Sequence, residues 1–176
     1  MMDRNYFELF SLPVSFEIDI SALSERYQDL QRSFHPDRFT NATDRERRLS
    51  MQQASMINEA YQTLKDPLKR SQYLLSLKDI DVSSESNTVM DTTFLMQQME
   101  LREALDDIMV ASEPLLALEK FTSDIEAQIK ELIVKLQSYF SDNTDDSLSQ
   151  AAALSLQLQF LYRLREEAED REEALL

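Results

Sequence analysis

His35 is the only histidine in a chain of 176 residues, and Pro36 and Asp37 follow it directly. An imidazole offers one donor and one acceptor, and a carboxylate suits bidentate pairing with an arginine on another molecule. Pro36 fixes its own φ and drives His35 towards extended backbone, so this turn is rigid before anything binds. No second base, nucleophile or ligand set accompanies His35, so catalysis is not expected, and two readings of the triplet stay open: a recognition element, or a helix-breaking turn with Asp37 as a cap. The chain has no Cys, which removes disulfides, thiolate metal sites and cysteine nucleophiles. One His removes most zinc sites. The absence of Gly removes phosphate-cradling P-loops and dinucleotide-binding turns. The expectation is a binding protein with no catalytic residue, no cofactor and no metal.

A second candidate surface lies far along the chain. Helical angles of about 100° per residue sort the apolar positions of 92–111 into a core sector and a remainder. Phe94, Leu101, Leu105, Ile108 and Met109 share the core sector. Leu95, Met96 and Met99 fall outside it, beside Glu100 and Glu103. In the last helix Leu154, Leu158, Leu161, Leu164 and Ala168 form the core sector, and Leu156 and Phe160 fall outside it. Two readings stay open for these surplus residues. They pack between helices, on the other domain or on a second copy, or they form an exposed apolar patch with an acidic rim. Methionines suit such a patch because they adapt to a partner.

The elements that must hold these residues are all helical. Ala, Leu, Met, Gln, Glu and Arg dominate, and these are helix formers. Tyr6 to Phe10 makes a short helical turn stopped near Pro13. Asp19 or Ser21 caps a second helix carrying Leu23, Tyr27, Leu30 and Phe34, which ends by His35. Thr43 or Asn41 caps a third, carrying Leu49, Ala54, Ile57, Ala60, Tyr61 and Leu64. Asp66 and Pro67 start a fourth, Leu68 to Leu77. The two long helices share a short connection, so they lie antiparallel. Residues 79–91 are polar, serine-rich and aperiodic, which reads as a linker. Three helices follow, over about 92–111, 114–140 and 146–174, the middle one possessing a potential break at Thr122-Ser123. Ile125, Ile129, Leu132, Ile133 and Leu136 form its apolar stripe.

Charge divides the same way. Residues 1–78 hold 11 basic and 11 acidic side chains, while 79–176 hold 7 and 22. The whole net charge of −15 therefore sits in the second half. Such a half repels nucleic acid and anionic membranes, and it either steers a basic protein partner or is a solvated acidic surface that keeps the protein soluble. No stretch is long enough for a transmembrane helix, and no signal or transit pattern opens the chain, so a cytoplasmic protein is expected.

Residues 3–77 resemble a J domain. The likeness rests on His35-Pro36-Asp37 with four flanking matches: Asn5 to Phe10, Phe34, Ile57 to Leu64, and Asp66 to Tyr73. It implies docking on a DnaK-like ATPase chaperone and stimulation of its ATPase, through His35, Pro36 and Asp37 with Arg26, Arg32 and Arg38. Glu25 and Asp29 make the second helix less basic than in general-purpose J proteins, which points to lower affinity or a specialised chaperone. Residues 91–106, with Tyr73 to Leu77, resemble the HscB family, the J-type co-chaperones of bacterial iron–sulfur cluster assembly. That likeness implies an HscA-like ATPase chaperone and an IscU-like cluster scaffold as partners. It maps scaffold binding onto Leu95, Met96, Met99, Glu100, Glu103 and Phe160. The resulting expectation is an all-α protein with a J domain over 1–78, a linker over 79–91 and a three-helix scaffold-binding bundle over 92–176. It acts as a monomer, with weak self-association as the alternative. The rival readings are a J protein for another client, or a helical adaptor or dimerisation module without chaperone activity.

Overall fold

The computed structural model describes residues 5–35, 43–82 and 92–176. These residues form seven helices and no strand. They divide into two compact units, Met1–Leu74 and Leu75–Leu176, with the boundary inside the fourth helix.

Four helices open the chain: α1 (Tyr6–Leu9), α2 (Ile20–Phe34), α3 (Asp44–Lys65) and α4 (Pro67–Ser76). Each begins on a side chain that accepts a backbone N–H the helix cannot satisfy itself. Asn5 and Glu8 form a reciprocal capping box for α1. Asp19, not Ser21, caps α2 by accepting from Ala22 N at 3.0 Å. Thr43 and Glu46 box the start of α3; Asn41 lies outside the described residues. The hydrogen bond from the Thr43 amide holds the Glu46 carboxyl below its usual range. Asp66 accepts from Lys69 N at 3.0 Å, with Pro67 as the first residue of α4. Helix α2 ends on His35 at φ −62° and ψ 133°, the extended conformation that a following proline imposes.

The side chains along the α2–α3 seam run in opposite order, so the pair is antiparallel. Phe34 O meets Ser50 Oγ, Tyr27 Oη meets Asn58, and Ser24 Oγ meets Tyr61 Oη. The Tyr27 and Tyr61 rings stack at 3.9 Å between centroids. Phe7, Phe10, Leu23, Ile57, Ala60 and Leu64 are buried beneath the seam. Helix α1 joins through Tyr6, whose ring stacks on Tyr73 at 4.4 Å and whose N–H donates to Tyr73 Oη at 2.9 Å. One expected core residue is misplaced: Leu49 is exposed, and Ser50 is buried instead. Ser50 lies about 20° from Ile57 on the helical wheel and Leu49 about 80°, so the hydroxyl faces α2 and the leucine only flanks it. Ser50 offsets its polarity by donating to Phe34 O at 3.0 Å.

The second unit contains α5 (Thr92–Ile108), α6 (Pro114–Asp142) and α7 (Asp145–Glu173), each packed on both others. Helix α6 runs unbroken through Thr122 and Ser123. Helix α5 stops at Ile108, where three successive bonds of 3₁₀ spacing tighten the chain, the first from Met109 N to Asp106 O. That tightening turns Met109 off the expected core sector, and it is exposed. Turns that would favour glycine fall to other residues in a chain that has none. Asn143 ends α6 at φ 50°, Asp79 follows α4 at φ 58°, and Ser11 follows α1 at φ 50°. Asn and Asp tolerate that left-handed region better than other non-glycine residues.

Arg171 ties the far end of α7 to the end of α5. Its guanidinium donates to Leu105 O at 3.1 Å, Asp106 Oδ1 at 2.8 Å and Glu167 Oε1 at 2.7 Å. The Asp106 bond, ahead of the Glu167 bond, raises the Arg171 pKa. The side chain supplies a donor that α5 lacks at its C-terminus. Arg171→Ala is expected to lower stability by about 1 kcal/mol, since the site is partly exposed and screened. Chemical denaturation would check this, and an unchanged midpoint would show that water replaces the bonds at no cost.

Candidate functional site

The last two turns of α2 bring Gln28, Gln31, Arg32 and His35 around one shallow groove. His35 stands exposed at the helix end, and the Ser50–Phe34 bond fixes that end to α3. Gln31 is held inward by donating to Tyr27 Oη and Asn58 Oδ1. Arg32 is extended into solvent, 3.7 Å from the Asp29 carboxylate. The structure thus brings together two of the six expected chaperone-binding residues, His35 and Arg32. Pro36, Asp37 and Arg38 lie outside the described residues.

Arg26 is used differently from the expectation. Its Nη1 donates to both Phe10 O and Ser11 O at 2.6 Å. These carbonyls follow the last turn of α1, so Arg26 closes that helix end and seats α1 against α2. Its Nη1 thereby positions α1, while the residue as a whole stays exposed. Nothing in the local sequence marks this, because the contact spans 15 or 16 residues and depends on the reach of a long side chain.

On α5, Leu95, Met96 and Met99 are 42%, 58% and 63% exposed, although all three are large and apolar. Glu100 and Glu103 are exposed beside them. This is the patch arrangement of the two readings left open by the helical wheel. Phe160 and Leu156 take the other one. Phe160 is 8% exposed and meets the Phe94 ring edge-on at 6.1 Å. The Arg102 guanidinium lies 5.6 Å from its centroid. Phe160 borders a cleft shared with Phe94, Leu101, Leu132 and Leu161, with Gln97 and Gln128 at its edge. Helix α7 has neighbours on two sides, so residues well off its first core sector are still covered. No pattern local to α5 marks the place of Arg102 over the ring.

The described side chains of both surfaces are arranged for binding, with His35 and the α5 strip open to solvent. Among the described residues no group of three His, Cys, Asp or Glu could hold a metal ion. No described helix is long and apolar enough to cross a membrane. What remains is an exposed imidazole with an arginine at one helix end, and an apolar strip with carboxylates on another helix.

Comparison with known proteins identifies both parts. Residues 5–73 match the DnaJ domain family, and residues 90–169 match the family described as the HSCB C-terminal oligomerisation domain. The chain is 46% identical over 171 residues to the co-chaperone protein HscB homolog of Shewanella loihica, covering 97% of this chain and 99% of that one. It is 43% identical over 171 residues to the corresponding Pseudoalteromonas atlantica protein, covering 97% and 98%. Its fold matches the chaperone HscB from Vibrio cholerae at a TM-score of 0.87 and 42% identity, covering 98% of this chain and all of that one. It matches human co-chaperone HscB at the same TM-score and 30% identity, covering 98% and 84%. An all-helical chain with a J domain followed by this C-terminal domain, alike to these proteins over nearly its whole length, belongs to the HscB family of co-chaperones, the J-domain proteins of iron–sulfur cluster assembly.

Proposed function

We propose that this protein presents an IscU-like cluster scaffold to an HscA-like ATPase chaperone and stimulates that chaperone's ATPase, as a cytoplasmic monomer. Residues 1–78 serve as the J domain, 79–91 as the linker and 92–176 as the scaffold-binding domain. The observation that carries the reading is the exposed strip of Leu95, Met96 and Met99 flanked by Glu100 and Glu103. Three solvated large apolar side chains over five helix positions need a partner with apolar and basic surface. His35 with Arg32, together with Pro36, Asp37 and Arg38 of the sequence, supplies the chaperone-directed site. Two sites on one chain raise the effective concentration of client at the chaperone. The iron–sulfur cluster is the client's cargo, and this chain, having no Cys, handles the scaffold and not the cluster.

The testing experiment is the steady-state ATPase rate of HscA with IscU, measured with and without this protein. Stimulation that requires the protein and rises with the scaffold supports the reading. No stimulation would leave a helical binding module.

Leu95→Ala with Met99→Ala is expected to weaken scaffold binding at least about tenfold, with a stability change within about 0.5 kcal/mol because both side chains are solvated. Calorimetric titration with the scaffold and thermal melts check the two halves. A sharp fall in melting temperature would make these residues structural and remove the patch.

A second reading takes the α5 face as a contact between two copies, and the family description of an oligomerisation domain favours it. A two-fold contact there would bring Glu100 and Glu103 against their own copies, which costs energy unless cations intervene. Light scattering over a concentration series separates the readings.

A further inference from the structure

If the J unit engages an ATPase chaperone, as proposed above, α2 offers it little net positive charge, since Glu25 and Asp29 stand against Arg26 and Arg32. Arg26 is committed to two backbone carbonyls, and Arg32 stands beside Asp29. The first turns of α3 carry the surplus. Asp44 pairs with Arg47, and Glu46 is held in the capping box with Thr43. Arg45 and Arg48 therefore have no carboxylate partner among the described residues, and Arg48 only donates Nε to Asp44 O within its own turn.

These arginines lie on one line. Arg45, Arg48, Leu49 and Gln52 follow i, i+3, i+4 and i+7, and all four are exposed. On the helical wheel they lie roughly 100–160° from Ser50, whose hydroxyl points to α2 through Phe34 O. The line thus covers the outer face of α3. Leu49 adds an apolar side chain that is 50% exposed.

The position of the charge is the telling feature. Arg45 is the second residue of α3, where the helix dipole presents its positive end and an acidic residue would suit the helix better. A cation there works against the helix that carries it, so local stability does not account for it. Ser50 of α3 meets Phe34 at the end of α2 and the two helices are antiparallel, so Arg48 and Arg45 lie beyond Ser50 at the same end of the pair as His35.

We infer that Arg45, Arg48 and Leu49 form a second docking patch on the J unit, which receives an acidic surface of the ATPase chaperone beside the one that meets His35. A polyanion such as nucleic acid or an anionic membrane is a poor alternative occupant for a chain of net charge −15. The acidic half of a second copy is the alternative that the test must separate.

The test measures ATPase stimulation of HscA as a function of concentration, at low and high salt, for the wild type, Arg45→Glu/Arg48→Glu and Lys69→Glu. Lys69 is exposed on α4 of the same unit and serves as the charge control. The double variant is expected to raise the half-saturating concentration about tenfold or more, to flatten its salt dependence and to keep the plateau rate. Its melting temperature is expected to hold or rise, because carboxylates suit the start of a helix. A role confined to the fold would instead move stability and stimulation downwards together. An unchanged half-saturating concentration, or an equal shift in Lys69→Glu, overturns the patch while leaving the co-chaperone reading intact. No stimulation by the wild type at any concentration overturns both. Salt-sensitive self-association of the wild type that the double variant abolishes would assign the patch to a second copy and also overturn it.

Discussion

His35→Gln is expected to abolish stimulation of the chaperone ATPase while leaving the fold and scaffold binding untouched. The expected loss is at least about tenfold, which is roughly 1.4 kcal/mol or more of coupling at the transition state. The fold is spared because His35 is exposed and lies past the last turn of α2, where its extended backbone follows from Pro36 and not from its own ring. Glutamine adopts that backbone as readily, so the melting temperature should move by no more than a surface substitution allows, within about 0.5 kcal/mol. Glutamine also keeps a donor and an acceptor. What it loses is the ring, with its fixed separation between the two nitrogens and its flat face. The assay is the steady-state ATPase of HscA with scaffold, run beside a calorimetric titration of the variant with scaffold alone. Scaffold binding through the α5 strip should be unchanged. If the variant lost it, the division into two separate sites would be wrong.

The helices were readable because their ends are chemically marked. Asp19 and Thr43, each one of two candidate caps, and the Asp66-Pro67 pair start their helices, and Pro114 opens α6. The antiparallel α2–α3 pair followed from a short connection between two amphipathic stretches, and the triplet at its turn was visible without any structure. Much of what resisted reading lies in the assumptions of the helical wheel. A helical wheel assumes one buried side and ideal rotation per residue. Met109 fails the second condition, because the bonds of 3₁₀ spacing after Ile108 change the rotation. Leu156 and Phe160 fail the first, because α5 and α6 cover α7 from different directions. Ser50 and Leu49 exchange places because packing follows angle before polarity, and a hydroxyl that finds a carbonyl can occupy a core position. Arg26 resisted for another reason: the reach of a guanidinium to carbonyls of a different helix leaves no trace in periodicity. Leu95, Met96 and Met99 stood outside the core sector on the wheel, which left packing and exposure both open, and α5 leaves them exposed.

Phe160→Ala is expected to be among the most destabilising single substitutions in the second unit, and this separates it from the rest of the scaffold-binding set. Truncating a buried phenylalanine costs about 3–5 kcal/mol, the lost transfer term plus the cavity left behind. Here the ring is 8% exposed, lies edge-on to Phe94 at 6.1 Å and has the Arg102 guanidinium 5.6 Å from its centroid. The cleft beside it allows water to reach part of the vacated space, which favours the lower end, about 3 kcal/mol. A drop of roughly 10 °C or more in the melting of the bundle corresponds to that loss. Weakened scaffold binding by Phe160→Ala would therefore report unfolding as readily as a lost contact. Phe160→Leu removes the ambiguity, because it keeps an apolar group in place and leaves a smaller cavity than alanine does. If Phe160→Leu restores both melting temperature and scaffold affinity, the ring acts by supporting α5 and so the strip of Leu95, Met96 and Met99. If it restores melting but not affinity, the ring itself meets the scaffold through the cleft. A Phe160→Ala variant that melts normally would contradict the packing of α5 on α7 and would return Phe160 to the exposed patch.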